Sequence, residues 1–191
     1  MLDFTALGKG IKMRQLTENL TPNDLRALTN EMLDTMQNLI ANCADEDVTF
    51  VPKDANAYDS FADDPDLVHL AWTLGHVIAH VTASAEESAF IAAELARGVP
   101  HRGGRSRYEI PWDTITTIAQ CRERLEESRR MRLALLDAWP PKPDLQNAYE
   151  SRPGFEPLNA ITRFVFGLKH DNDHLNQLAD IVRQAQAARR P

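Results

Sequence analysis

The sequence predicts an all-α protein, most simply a four-helix bundle with long crossover loops, and three observations carry that expectation. Four long segments repeat apolar residues at spacings of three and four, the period of a helix with one buried face. No segment shows the apolar–polar alternation of a half-buried strand. The joints between segments are rich in proline, glycine and aspartate, which suits long connections in a bundle. A chain of 191 residues, 43% hydrophobic and 26% charged, can bury one proper core and is not the composition of a disordered chain.

Residues 1–20 mix Gly8, Gly10 and several charges without periodicity and read as an N-terminal extension. The GxG they contain lacks the rest of a phosphate-loop pattern, so no function attaches to it. Thr21-Pro22-Asn23-Asp24 is a helix start: threonine suits the N-cap, proline the first turn, and Asp24 the positive end of the dipole. Leu25, Leu28, Met32, Met36, Leu39 and Ile40 then mark one face of the first helix. Residues 44–69 form an aspartate-rich connection with Pro52, Pro65, Phe50, Tyr58 and Phe61. Loops this long are usually functional or locally folded, and the 53–71 stretch is placed to cover the mouth of a site.

Asp66 or a neighbour is expected to cap a second helix over 68–96, which stops at Gly98-Val99-Pro100. Pro111-Trp112-Asp113 is the expected start of the third helix, with Ile115, Ile118, Leu125, Met131, Leu135 and Leu136 as its apolar positions. It must end before Pro140-Pro141-Lys142-Pro143, a run that cannot be helical. A proline-rich crossover over 140–157 leads to a fourth helix over 157–187. The bundle thus spans 21–187, and 188–191 are expected to fray.

Composition excludes several functions. A net charge of −7 argues against a nucleic-acid partner, since the one dense basic patch (102–107, RGGRSR) reads as a solvated loop. Cys43 and Cys121 have no CxxC spacing and read as small buried hydrophobes inside helices, not as a thiolate site or a disulfide framework. No apolar run approaches the ~20 residues that span a bilayer, and no signal-peptide pattern opens the chain, so no membrane partner and a cytoplasmic location are expected. The partners expected are a small-molecule substrate and, through an outer helix face, a second copy in a C2 homodimer.

Chemistry concentrates in Leu168-Lys169-His170-Asp171-Asn172-Asp173-His174-Leu175-Asn176-Gln177-Leu178. Positions i and i+4 stand one above the other on a helix, so His170 and His174 can aim at one point and make half of a transition-metal site. Both fall on the edge of the apolar face, where bundles build metal centres, and Gln177 continues their row. Asp171 faces inward among leucines and Asp173 outward, which favours Asp171 as the carboxylate that orients an imidazole N–H. On the second helix, His80 borders the apolar face. His76 is rotated further toward the charged side, as an outer partner or a surface group. Glu87 follows His80 on the same face as a candidate general base. Trp72 reads as core, and His69 and His101 as solvent-exposed.

The segment Trp72-Thr73 with His80-Val81-Thr82-Ala83 resembles the second-helix signature of DinB/YfiT-like proteins, and His170-xxx-His174-Leu175-Asn176-Gln177-Leu178 is similar to their late H-xxx-H-xx-Q-L motif. Residues 125–129 (LEESR) resemble their third helix and 45–52 (DEDVTFVP) their first connection, so the likeness runs through 20–187 in order. The resemblance implies a four-helix bundle in which His80, His170 and His174 hold a divalent metal. It also implies metal-dependent transfer of a low-molecular-weight thiol, such as bacillithiol, mycothiol or glutathione, onto an electrophile. The chain departs from the pattern in the 53–71 insertion, the additional His76 and the N-terminal extension. Three imidazoles would leave a catalytic ion an open position, and such a set suits zinc or nickel. A hydrolase using a metal-bound water, or a non-catalytic metal-binding bundle, are the alternatives, although the HExxH glutamate position holds Asp171.

Overall fold

The computed structural model describes residues 1–59, 64–104 and 108–189. Phe61, Arg105 and Arg107 of the basic patch, and the last two residues of the expected frayed tail lie outside the described residues. Four long helices dominate, α1 (Pro22–Leu39), α2 (Leu74–Ala96), α3 (Ile118–Asp137) and α4 (Ala160–Arg189), and there is no strand among the described residues.

Each helix begins where a side-chain oxygen can take the orphan N–H groups of its first turn. Thr21 opens α1 through a reciprocal box: its hydroxyl accepts from the Asp24 amide at 3.3 Å, and the Asp24 carboxylate accepts from the Thr21 amide at 2.8 Å. The second helix starts at Leu74, later than expected, because the capping oxygen is that of Thr73, which accepts from the His76 amide at 3.3 Å. Asp64, not Asp66, caps only the single 3-10 turn Pro65–Leu67. The third helix also starts late. Trp112–Thr114 is an isolated 3-10 turn, and Thr117 with Gln120 forms the box that opens α3. Asn159 and Thr162 exchange the equivalent bonds, at 2.7 and 3.0 Å, ahead of α4. That helix runs on to Arg189, past the expected fraying point, because the Arg189 guanidinium is held 2.9 Å from the buried carboxylate of Asp47. Residues 1–20 are not loose: a 3-10 segment (Phe4–Lys9) and one helical turn (Met13–Leu16) lay Phe4 into the core, with Leu2, Leu7, Leu16 and Leu20 packed behind it.

α1 packs against α3 and α4, and α2 packs against the same two helices. Helices consecutive in the chain, α1 with α2 and α3 with α4, therefore sit across the bundle from one another, and the long connections exist to make those crossings. The most extensive contact is between α2 and α4, the two histidine-bearing helices. Small residues let them approach: a Cβ on Gly167 would lie 2.8 Å from Cβ of Ser88 and 3.2 Å from Cα of Ala85. Gly75 does the same for the 112–115 turn, since a Cβ there would lie 2.6 Å from the Ile115 carbonyl oxygen. The first approach sets the spacing of the histidines, and the second brings Trp112 over the start of α2.

The bundle interior holds Leu25, Leu33, Ile78, Leu95, Leu125 and Leu178, all completely or almost completely buried. A charged pair crosses among them. Arg132 of α3 and Asp171 of α4, 1% and 0% exposed, meet at 2.5 Å, and Arg132 Nε also donates to Ser128 Oγ at 3.0 Å. No helix among the described residues is long and apolar enough to cross a membrane.

Candidate metal centre

One turn beyond the Gly167 crossing, α4 delivers His170 and, a further turn on, His174; α2 delivers His80 opposite them. One ring nitrogen from each of the three lies within 4.8 Å of the others. His80 Nε2 and His170 Nε2 are 3.1 Å apart, and the ring centroids of the trio lie 4.7 to 5.2 Å apart. Two imidazole nitrogens on one tetrahedral ion, each at ~2.0–2.1 Å, stand about 3.3 Å apart, so this spacing fits a shared ion. Among the described residues it is the only group of three or more His, Cys, Asp or Glu side chains so arranged.

Tautomers can be read from the oxygens behind the rings. His174 Nδ1 lies 2.8 Å from Gln177 Oε1. An amide oxygen only accepts, so the proton is on Nδ1 and the Nε2 lone pair is left for the cage. On His80 the contact is looser: its Nδ1 lies 3.9 Å from Oε1 of Glu109, a charge contact longer than a hydrogen bond. Glu109 comes from the connection between α2 and α3, where no periodicity marks a residue as pointing inward, and sequence reasoning passed over it. The Gln177 placement agrees with the expected continuation of the histidine row.

The other expected site residues are placed differently. His76 is not a surface group on α2; it is 8% exposed and stacked between Trp72 (4.4 Å, 20°) and Trp112 (4.6 Å, 4°). A helical wheel assigns His76 to the polar side because it sees only helix neighbours, whereas both tryptophans come from outside the long helices. Burial between them pushes the His76 pKa down to about 4, against a weaker upward pull from Asp59. Trp72 does more than fill the core, for its ring also lies 4.7 Å from His80 and 5.9 Å from His174.

Asp171 does face inward, as its helix phase predicts, but it serves Arg132 and orients no imidazole. Complete burial raises its pKa, and the Arg132 guanidinium pulls against that rise. The signal was present in the sequence: Arg132 lies on the Leu125–Leu136 stripe of α3, so two opposite charges occupy inward positions on two helices. Glu87 lies in a groove of about 500 Å³ between α2 and α3, together with Glu86, Phe90, Tyr108, Ile110 and Arg124, and is not one of the converging groups. Arg124 pairs there with Glu86 and donates from Nε to Thr82 Oγ1 at 3.1 Å.

The described part of the 53–71 connection borders the centre. Asp54, Asn56, Ala57, Tyr58, Leu70 and Trp72 border a cleft of about 190 Å³ whose other side is His174 and Gln177. Lys53 and Gln184 of α4 exchange backbone-to-amide bonds at 2.9 and 3.3 Å that hold the connection in place. The two cysteines are remote from this chemistry. Cys43 sits past the end of α1, not inside a helix, and Cys121 within α3. Both are buried thiols, and burial raises the Cys43 pKa and pushes that of Cys121 up to about 12.

A sequence model of the DinB superfamily matches residues 12–178. No curated protein and no solved structure is similar enough to this chain to match. The family match covers most of the chain, and it joins an all-helical bundle to three histidines that could hold a divalent metal. The chain belongs to the DinB superfamily.

Proposed function

We propose that this protein joins a low-molecular-weight thiol to an electrophilic small molecule at a divalent metal, zinc or nickel, held by His80, His170 and His174. The observation that carries the reading is the convergence of three imidazoles, with no fourth converging ligand among the described residues, beside a cleft. Three protein ligands leave a position for substrate, where a structural site would close with four. A divalent ion bound there supplies the Lewis acidity that ionises a thiol at neutral pH.

The chain's own groups prepare that position. Gln177 keeps the His174 proton on Nδ1. Trp72, against two of the three imidazoles, walls the centre with an apolar ring that keeps bulk water from the rings' faces. The cleft residues bring the thiol sulfur to the electrophilic carbon. There the C–S bond forms as the leaving group departs with its bonding electrons, and the thiol proton passes to solvent. Neither buried cysteine can take the place of the added thiol, because their raised pKa values keep them protonated. A hydrolase is less well supported: Asp171, in the position of the HExxH glutamate, is committed to Arg132 and cannot serve as general base.

The test uses untagged protein loaded with zinc or nickel and an activated aryl halide, with glutathione, bacillithiol or mycothiol. Thiol consumption that needs metal, stops on chelation and is lost in His174→Ala is the expected result. Failure of every thiol with a panel of electrophiles, or ester cleavage at the same rate without any thiol, would sink the transferase reading.

A further inference from the structure

We propose that Glu109 is the positioning residue for His80: its carboxylate, 3.9 Å from Nδ1 and so in charge contact at longer than hydrogen-bond distance, favours the tautomer with the proton on Nδ1, which turns Nε2 into the cage and raises the strength of that ligand. The inference rests on the reading of the three histidines as metal ligands and deepens it.

Three observations converge on this assignment. The first is direction. His80 Nε2 is the atom that meets His170, at 3.1 Å, so Nδ1 is the atom left outside the cage, and Glu109 Oε1 lies 3.9 Å from it. Glu109 is therefore not a fourth ligand, and it does not belong to the converging group. The second is repetition. His174 presents its own Nδ1 to an oxygen, that of Gln177, in a 2.8 Å hydrogen bond, so two of three imidazoles turn Nδ1 toward an oxygen, one by a hydrogen bond and one by the longer charge contact. The third is shelter. The side chains of His80 and Glu109 are only 17% and 26% exposed, which reduces the competition of water for Nδ1–H.

Chemistry explains why a carboxylate should stand there and an amide should not. A cation on one imidazole nitrogen makes the opposite N–H a stronger donor, and a charged acceptor gains more from that than a neutral one. His80 and His174 thereby differ: His174 is held in place by a neutral partner, His80 by an anion that also offsets part of the dication's charge. In the α2–α3 connection, Tyr108 and Ile110 on either side of Glu109 line the 500 Å³ groove, so the segment that borders the groove also supports the ligand.

The experiment measures zinc and cobalt(II) affinity by chelator competition, with the cobalt(II) visible spectrum, on the untagged full chain as wild type, Glu109→Ala and Glu109→Gln. The assignment expects Glu109→Ala to bind ~10–100-fold more weakly with altered cobalt bands. Glu109→Gln, which keeps an oxygen acceptor and loses the charge, should fall between Glu109→Ala and wild type in affinity and band shape. The metal-free melting temperatures of all three should agree, since the residue is partly exposed and in a loop. Glu109→Ala binding within twofold of wild type with the same spectrum would overturn the role of Glu109 alone. A wild type that binds neither ion would overturn this role and the metal reading together.

Discussion

His170 and Asp171 are neighbours in the chain, about 100° apart around α4, and meet different partners. His170 turns toward two other imidazoles beside a cleft; Asp171 turns into the core and meets Arg132 with almost no exposure. One position gathers imidazoles whose nitrogen lone pairs suit a shared cation. The other neutralises its charge within the protein and gives none of it to chemistry. A helix can thus hold a candidate metal centre at one position while the next residue is locked, and the lock here is a charged pair spanning the bundle. Buried pairs of this kind contribute little net stability, since desolvation offsets attraction, yet they make the loss of one partner costly.

The comparison can be broken from either side. On the open face, His170→Ala should remove metal binding almost entirely, beyond the ~10–100-fold that loss of an outer partner costs, while leaving the metal-free melting temperature within a few degrees of wild type. Metal content by mass spectrometry together with thermal melting checks both halves. Retained stoichiometric metal would mean the cage does not need α4's first histidine. On the locked face, Arg132→Met should destabilise the fold by about 3–5 kcal/mol because Asp171 is left buried without its cation. The double variant Arg132→Met, Asp171→Leu should return to near wild-type stability in denaturant titrations. A double variant as unstable as the single one would show that the pair itself, and not its imbalance, holds the bundle.

The smallest effect belongs to His76, which sits between the two faces in its tryptophan stack. Its folded pKa is depressed to about 4 from an ordinary 6.5, so folding favours the neutral ring. The sign follows from linkage: that contribution is fully present above pH 6.5 and is lost as pH falls from there through about 4. In metal-free protein, His76→Phe keeps a flat ring between Trp72 and Trp112 and removes the titration. Its stability should therefore fall less steeply than wild type across that window. Parallel pH profiles would place the proton-linked loss elsewhere.

Much of this was legible beforehand, and the reasons differ by residue. Thr21 with Asp24, and the apolar spacing from Leu25 to Met36, specify α1 by local rules alone, and the structure repeats them. His170 and His174 stood out by their i,i+4 spacing and His80 by its place on the border of the apolar face, while the set of three was what the DinB/YfiT resemblance implied. The starts of α2 and α3 were misplaced because Asp66 and Trp112 resemble helix openers, whereas Thr73 and Thr117 supply the capping oxygens. His76 and Glu109 were misread or missed for one common reason: their environments are made by residues outside the long helices, Trp72, Trp112 and the α2–α3 connection, and no wheel or period describes those.

The crossed connectivity bears on the order of events when the chain folds. His80 and His170 are separated by 90 residues, and their helices meet only after the crossing from α3 to α4 has been made. An incompletely assembled chain offers an ion no more than the local pair on α4, a weak chelate compared with three converging rings. On the proposed metal reading, capture of an ion is therefore a late event that would follow docking of the last helix. Once made, it closes a long loop of chain and stabilises the native state by mass action, ~4 kcal/mol when free ion exceeds its dissociation constant a thousandfold. Occupancy then acts as a molecular record of completed assembly: a loaded molecule is one whose last helix has arrived.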